Sequence, residues 1–147
     1  TTQGGKVGIP DTISFAIAKY CAFDVATFTG AYTCDETGYG AYGVGLTIDP
    51  DNENAVLNDN FWDWAAAGEV IRYELSGDVD QIVTVPLQDF VFGDGSAGTV
   101  EGSGTYDGCA GTMYVEYNVF YDGADNATEH FFSSGAPAKK SFIKKGN

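Results

Sequence analysis

Side chains able to do chemistry are unevenly supplied in this chain. It has one histidine, His130, and three cysteines, Cys21, Cys34 and Cys109, against 21 aspartates and glutamates. A nucleophile needs a base within hydrogen-bond reach, and His130 shows no partner pattern along the sequence. Paired carboxylates can hydrolyse glycosides, but among so many acids no pair is singled out by its spacing. Gly93-Asp94-Gly95-Ser96-Ala97-Gly98 has the glycines of a phosphate loop. No lysine follows its last glycine, and no helical pattern follows to supply a dipole. The residues point to binding rather than catalysis, so no enzymatic activity is expected.

Two stretches carry the types needed for binding. Phe61-Trp62-Asp63-Trp64 places two indoles two residues apart. Exposed, Trp62 and Trp64 would form a stacking platform for a sugar ring, with Asp59, Asn60 and Asp63 taking the hydroxyls. Buried, they would plug one end of a β structure, as large aromatics do in cores. Asp49-Pro50-Asp51-Asn52-Glu53-Asn54 gathers the oxygen ligands calcium prefers, with Asp49, Asp51 and Glu53 as the carboxylates. Position six of that run is Asn54 rather than glycine and position twelve is Asn60 rather than glutamate, which excludes an EF-hand and leaves a looser calcium loop or a polar turn. Beyond calcium, no cofactor is expected.

Charge and composition narrow the class. The formal net charge is −14, which makes nucleic acid a poor partner because phosphate binding needs a basic face. Hydrophobic residues make up 44% and aromatics 14%, which excludes a disordered chain. Cationic charge concentrates at one end, where Lys139, Lys140, Lys144 and Lys145 are candidates for contacting an acidic body or partner. No apolar run approaches 18 residues, so no transmembrane helix is expected. Three cysteines in a small β-rich chain fit an oxidising compartment. Asn126-Ala127-Thr128 matches the N-glycosylation pattern.

The elements that must position these groups are strands. Period-two alternation runs through Phe28–Cys34, Tyr42–Ile48, Ile71–Leu75, Val83–Leu87, Val100–Tyr106 and Met113–Phe120. A last strand is predicted over Thr128–Phe132. Turn signals separate these runs at residues 35–38, 49–54, 76–78, 93–95, 107–108 and 122–123. Connections so short demand antiparallel neighbours. The prediction is an all-β, antiparallel up-and-down barrel of about eight strands, with a two-sheet sandwich as the alternative. A helical turn fits only between Trp62 and Ala67. Ile13, Phe15 and Ile17 alternate as well, so residues 1–20 read as an arm or linker that includes a possible strand, residues 21–133 as the barrel, and residues 134–147 as a basic tail. In a closed meander the first strand pairs with the last ones, which brings Cys34 toward Cys109 for a disulfide. Cys21–Cys109 is the competing pairing. Cys21–Cys34 fits poorly, since the intervening segment, if extended, would span ~40 Å.

Five motifs recur in a characteristic order: Phe28-Thr29-Gly30-Ala31-Tyr32-Thr33-Cys34, Gly38-Tyr39-Gly40-Ala41-Tyr42, Asn58-Asp59-Asn60-Phe61-Trp62, Val85-Pro86-Leu87-Gln88, and Gly102-Ser103-Gly104-Thr105-Tyr106-Asp107 leading to Gly111-Thr112-Met113. Together they resemble the calycin-like (lipocalin-like) domains of Bacteroidetes cell-surface lipoproteins, over roughly residues 21–133. The resemblance implies a β-barrel at the outer-membrane surface of a Gram-negative cell, or a secreted one, without a shared catalytic motif. It implies work as an interaction or structural subunit of an envelope assembly, or alternatively as a glycan- or small-ligand-binding module of a polysaccharide-uptake system. It also implies that Thr12, in Asp11-Thr12-Ile13, is an O-glycosylation site. The lipid-bearing N-terminal cysteine of such lipoproteins has no counterpart here.

Overall fold

The computed structural model describes residues 21–135. Eight antiparallel strands follow one another in chain order: β1 (Gly30–Glu36), β2 (Gly40–Asp49), β3 (Asn52–Asn58), β4 (Ile71–Leu75), β5 (Ile82–Val91), β6 (Ala97–Asp107), β7 (Thr112–Tyr121) and β8 (Ala124–Ser134). They close into a barrel, with β1 pairing β8 from Tyr32–Ser134 to Glu36–His130. This is the up-and-down architecture the alternation predicted. Closure leaves no strand with an unpaired edge, which removes the usual route to edge-to-edge association. Two short 3₁₀ turns complete it: η1 (Val25–Phe28) before β1, and η2 (Phe61–Asp63) between β3 and β4.

The alternation decides what fills the interior. Tyr32 and Cys34 of β1, Tyr42 and Leu46 of β2, Tyr73 of β4, and Met113, Val115 and Tyr117 of β7 are all buried. Strand β3 has no counterpart among the predicted strands, and its first residues fall within the predicted turn at 49–54. The turn is short: Asp49 Oδ1 accepts from the Asp51 amide at 2.8 Å, and pairing resumes at Asp49–Asn52 beside an irregularity at Ile48–Asp49. The local shift in register puts both Ala55 and Val56 out of solvent, which breaks the period-two signal there.

Two of the recurring motifs have a mechanical role. In β5 the register shifts between Val85 and Gln88, where Pro86 cannot donate to a ladder. The Gln88 side chain takes over: its Oε1 accepts from the Arg72 amide at 3.0 Å and its Nε2 donates to the Arg72 carbonyl at 3.1 Å. A side-chain amide thus extends the β4–β5 pairing, whose backbone register covers only Glu74–Thr84 and Leu75–Val83. In β6, a methyl group at Gly102 would collide with the Glu116 carbonyl oxygen, and one at Gly104 with the Tyr114 carbonyl oxygen. The bare backbone is what allows β6 to bend tightly over β7.

Each end of the barrel is closed by packing. At one end η1 lies across the opening, capped by Asp24, whose carboxylate accepts from the Ala26 amide at 3.0 Å. Phe28 packs edge-on to Tyr106 at 5.2 Å, and Phe23 adds a further contact to the same ring. The Tyr32 hydroxyl sits 2.9 Å from the Thr27 carbonyl oxygen and 2.8 Å from that of Gly111.

The disulfide joins Cys21 to Cys109 across 88 residues, which corrects the expected Cys34–Cys109 bridge. Cys34 lies mid-strand on the inward face of β1, between Tyr42 of β2 and Phe132 of β8. Cys109 belongs to the β6–β7 turn at the barrel's end, two strands further around. The segment before β1 folds back through η1 instead of running extended, and this carries Cys21 over that end. Residues 1–20, including Thr12, and the basic segment from 136 to 147 lie outside the described residues.

Loop-closure entropy assigns a bridge of this span about 4 to 5 kcal/mol. Cys21→Ser with Cys109→Ser is therefore expected to lower the unfolding free energy by about that amount in urea titrations while the barrel's circular dichroism persists. Thiol alkylation is expected to reach Cys34 only after unfolding.

Candidate functional site

The groups best equipped for chemistry meet inside the barrel. Glu36 ends β1 on the inward face and stands opposite His130 of β8 in the strand register. Glu36 Oε1 accepts from the Tyr42 hydroxyl at 3.2 Å and lies 3.4 Å from His130 Nε2. Its Oε2 accepts from the Trp62 indole N–H at 2.9 Å and from the Thr128 hydroxyl at 3.4 Å. Deeper in, Asn58 donates to the Tyr73 hydroxyl at 3.2 Å, and the Tyr73 and Tyr117 hydroxyls share a proton at 2.8 Å. The His130 ring packs against Tyr117 at 4.6 Å and Phe61 at 5.6 Å.

This is a carboxylate, an imidazole and several phenols in contact, the ingredients of acid–base catalysis. It is sealed, however. His130 has no solvent exposure and Glu36 only 6%. Burial pushes the Tyr42 and Tyr117 phenols well above their ordinary value, and raises Tyr32 and Tyr73 in the same direction. A neutral phenol donates readily to a carboxylate or a carbonyl: Tyr42 satisfies Glu36, Tyr73 and Tyr117 satisfy each other, and Tyr32 bonds the Thr27 and Gly111 carbonyls. The signal for Glu36 and His130 was present in the sequence. Each continues an inward series, Tyr32–Cys34–Glu36 and His130–Phe132, and a charged residue on an inward face needs partners.

The proposed sugar platform takes a different form. Trp62 and Trp64 are buried, 4% and 8% exposed, and their rings lie 6.4 Å apart within a cluster that includes Phe92 and Tyr121. They plug the second end of the barrel, so no exposed indole pair exists. They also do not sit on a strand. Trp62 and Asp63 both adopt the left-handed region, with φ of 61° and 51°, which is uncommon for two successive residues other than glycine.

The polar residues beside them hold this conformation in place. Asp63 Oδ2 accepts from the Tyr39 hydroxyl at 2.8 Å, and Asp63 Oδ1 from Asn60 Nδ2 at 3.1 Å. Asn60 Nδ2 also donates to the Gly43 carbonyl at 2.9 Å, and Asp59 Oδ1 accepts from the Gly45 amide at 2.7 Å. Asp59, Asn60 and Asp63 therefore latch the β3–β4 connection to β2 rather than facing a ligand.

Of the calcium candidates Asp49, Asp51 and Glu53, the first turns inward and the other two face solvent. Asp49 is buried and ion-paired with Arg72. Among the described residues, no group of three or more His, Cys, Asp or Glu side chains lies close enough to hold a metal ion. Lys139, Lys140, Lys144 and Lys145 lie outside the described residues.

What remains open to solvent is the outer wall. Leu87, Phe131, Phe120 and Tyr114 are exposed there. A surface groove of about 520 Å³ lies beside Phe120, lined also by Glu69, Asp89 and Val91. No family model matches this chain, and neither does any curated protein or solved structure. Among the described residues no helix is long and apolar enough to cross a membrane. The disulfide is compatible with a compartment outside the reducing cytoplasm.

Removing the buried carboxylate deletes the hydrogen bonds it accepts from the Trp62 indole, Tyr42 and Thr128. Glu36→Ala is expected to cost about 3 kcal/mol in urea unfolding, while Glu53→Ala on the surface stays within about 0.5 kcal/mol of the parent. The raised phenols set a second expectation. Their folded-state values lie above the unfolded one near 10, so their contribution is complete below that pH and is lost as pH rises beyond it. Melting temperature is expected to hold up to about pH 10 and then fall, with phenolate absorbance from the buried tyrosines appearing only with unfolding.

Proposed function

We propose that this chain is a non-catalytic β-barrel module of the cell envelope, a secreted or outer-membrane-surface protein that acts as an interaction subunit of a larger assembly. The observation that carries this reading is the filled interior. Large aromatic side chains occupy the lumen and close both ends, and the groups suited to catalysis are consumed inside it. A small-molecule site of the lipocalin kind needs a lumen wide enough to admit a ligand. Contact with a partner is left to the outer wall, where aromatic and acidic side chains stand together. The resemblance to calycin-like lipoprotein domains and the disulfide support an envelope location.

The alternative of a glycan-binding module used Trp62 and Trp64, and their burial leaves it without its platform. Trp62→Ala and Trp64→Ala are expected to destabilise the barrel by about 3 to 5 kcal/mol each, the effect of emptying a core site. The direct test is affinity capture from detergent-solubilised source envelopes with the full chain as bait, followed by sedimentation of the reconstituted complex. A stoichiometric protein partner is the expected result. Retention of polysaccharide with no protein partner would overturn the reading.

A further inference from the structure

The outer wall is not uniform, and one face of it has a defined chemistry. Alternation turns Tyr114, Glu116, Asn118 and Phe120 outward from β7, and Asp125, Ala127, Glu129 and Phe131 outward from β8. The register pairs Tyr114 with Phe131, Glu116 with Glu129, Asn118 with Ala127, and Phe120 with Asp125. Successive rungs therefore read aromatic on aromatic, carboxylate on carboxylate, amide on methyl, and aromatic on carboxylate. Tyr114, Phe120 and Phe131 are 37%, 42% and 45% exposed.

We propose that this face of β7 and β8 docks an extended, lysine- or arginine-bearing segment of a partner protein. The inference rests on the interaction-module reading and supplies the partner's chemistry. Its basis is the carboxylate rung. Like charges directly opposite one another in an antiparallel ladder repel, and a sheet carries such a pair at a cost to stability. The Tyr114 hydroxyl lies 3.2 Å from Glu116 Oε2 and 2.8 Å from Glu129 Oε1. A phenol has one proton, so it satisfies one carboxylate at a time. The hydrogen bond to Glu129 is the chief cause that pushes the Tyr114 phenol up to about 12, which keeps it a neutral donor.

Nothing in the barrel wall neutralises that pair. Among the described residues Arg72 is the one lysine or arginine, and it is ion-paired with Asp49. An incoming ammonium or guanidinium between Glu116 and Glu129 would bridge both, its apolar stem lying on Tyr114 and Phe131. A second cation would lie over Phe120 beside Asp125, which already holds the Asn118 amide at 3.1 Å. The two rungs are four residues apart along β7, roughly 13 Å. An extended segment with basic side chains at i and i+4 spans that distance with both on one face.

The test titrates the full isotope-labelled chain with an acetylated, amidated Lys-Thr-Phe-Thr-Lys peptide and follows amide resonances. Shifts centred on Tyr114, Glu116, Glu129 and Phe131 are expected, with affinity falling roughly ten-fold in a Glu116→Gln/Glu129→Gln double variant. Glu53→Gln/Glu74→Gln, placed elsewhere on the wall, is expected to leave affinity unchanged, and the first double variant to melt no lower than the parent. Equal losses in both double variants would reduce the effect to the general negative field and overturn the site. Shifts on this face from a soluble polysaccharide but not from the peptide would assign it to glycans instead. If changing Lys139, Lys140, Lys144 and Lys145 to Gln moves the same resonances without peptide, the occupant is the chain's own basic segment and the partner proposal fails. A captured protein partner that still binds the Glu116→Gln/Glu129→Gln variant would sink this face while leaving the interaction-module reading standing.

Discussion

Closing eight strands into a ring fixes the width of the space inside, and side chains must fill it. Most other features follow from that requirement. The first and last strands must pair, which sets Glu36 opposite His130. The inward positions must be large, and Tyr32, Tyr42, Tyr73, Tyr117, Phe61, Phe90 and Phe132 supply the bulk. Where β6 bends most tightly over β7, the inward positions must instead be empty, and Gly102 and Gly104 provide that. Large and absent side chains are two responses to one geometric demand.

Filling a narrow interior with tyrosines brings hydroxyls with it, and buried hydroxyls need partners. They find them in each other, as at Tyr73 and Tyr117, in Asn58, and in the Glu36 carboxylate. Glu36 in turn ties three parts of the molecule together: β2 through Tyr42, the end plug through Trp62, and β8 through Thr128 and His130. The same set of groups thus solves a packing problem. The strained backbone at Trp62 and Asp63 belongs to the same solution, since the plug must enter the lumen from a short connection.

A barrel that spends many of its polar and aromatic groups internally still carries Leu87, Tyr114, Phe120 and Phe131 exposed on its outer wall. That wall is acidic, and its one described basic side chain is committed to Asp49. Negative charge of this density sets up a field that attracts cations and repels anions. Exposed aromatics set among carboxylates on β7 and β8 add short-range contact to that long-range preference. On the proposed reading, such a face would select by charge at a distance and by apolar fit on contact.

The sequence by itself determined the class of fold, because period-two alternation and short turns demand an antiparallel all-β meander, while the choice between barrel and sandwich stayed open until the first strand was seen to pair with the last. It also determined which faces turn inward: Glu36 was legible as the continuation of Tyr32 and Cys34, and the outward row of β7 could be read directly. What it did not determine was anything set by contacts between distant segments. The partner of Cys109 depended on η1 folding back across the barrel's end, a matter of local capping by Asp24 that spacing along the chain does not reveal. Strand β3 as a whole was hidden by a shift in register, which destroys the periodicity by which strands are recognised. The fate of Trp62 and Trp64 depended on whether the lumen had room for them, and residue type alone does not distinguish an exposed indole platform from a buried plug. Alternation is a local property carried by neighbouring residues. Burial, pairing and the balance of opposed charges are properties of the closed ring, and they exist only once its first strand has met its last.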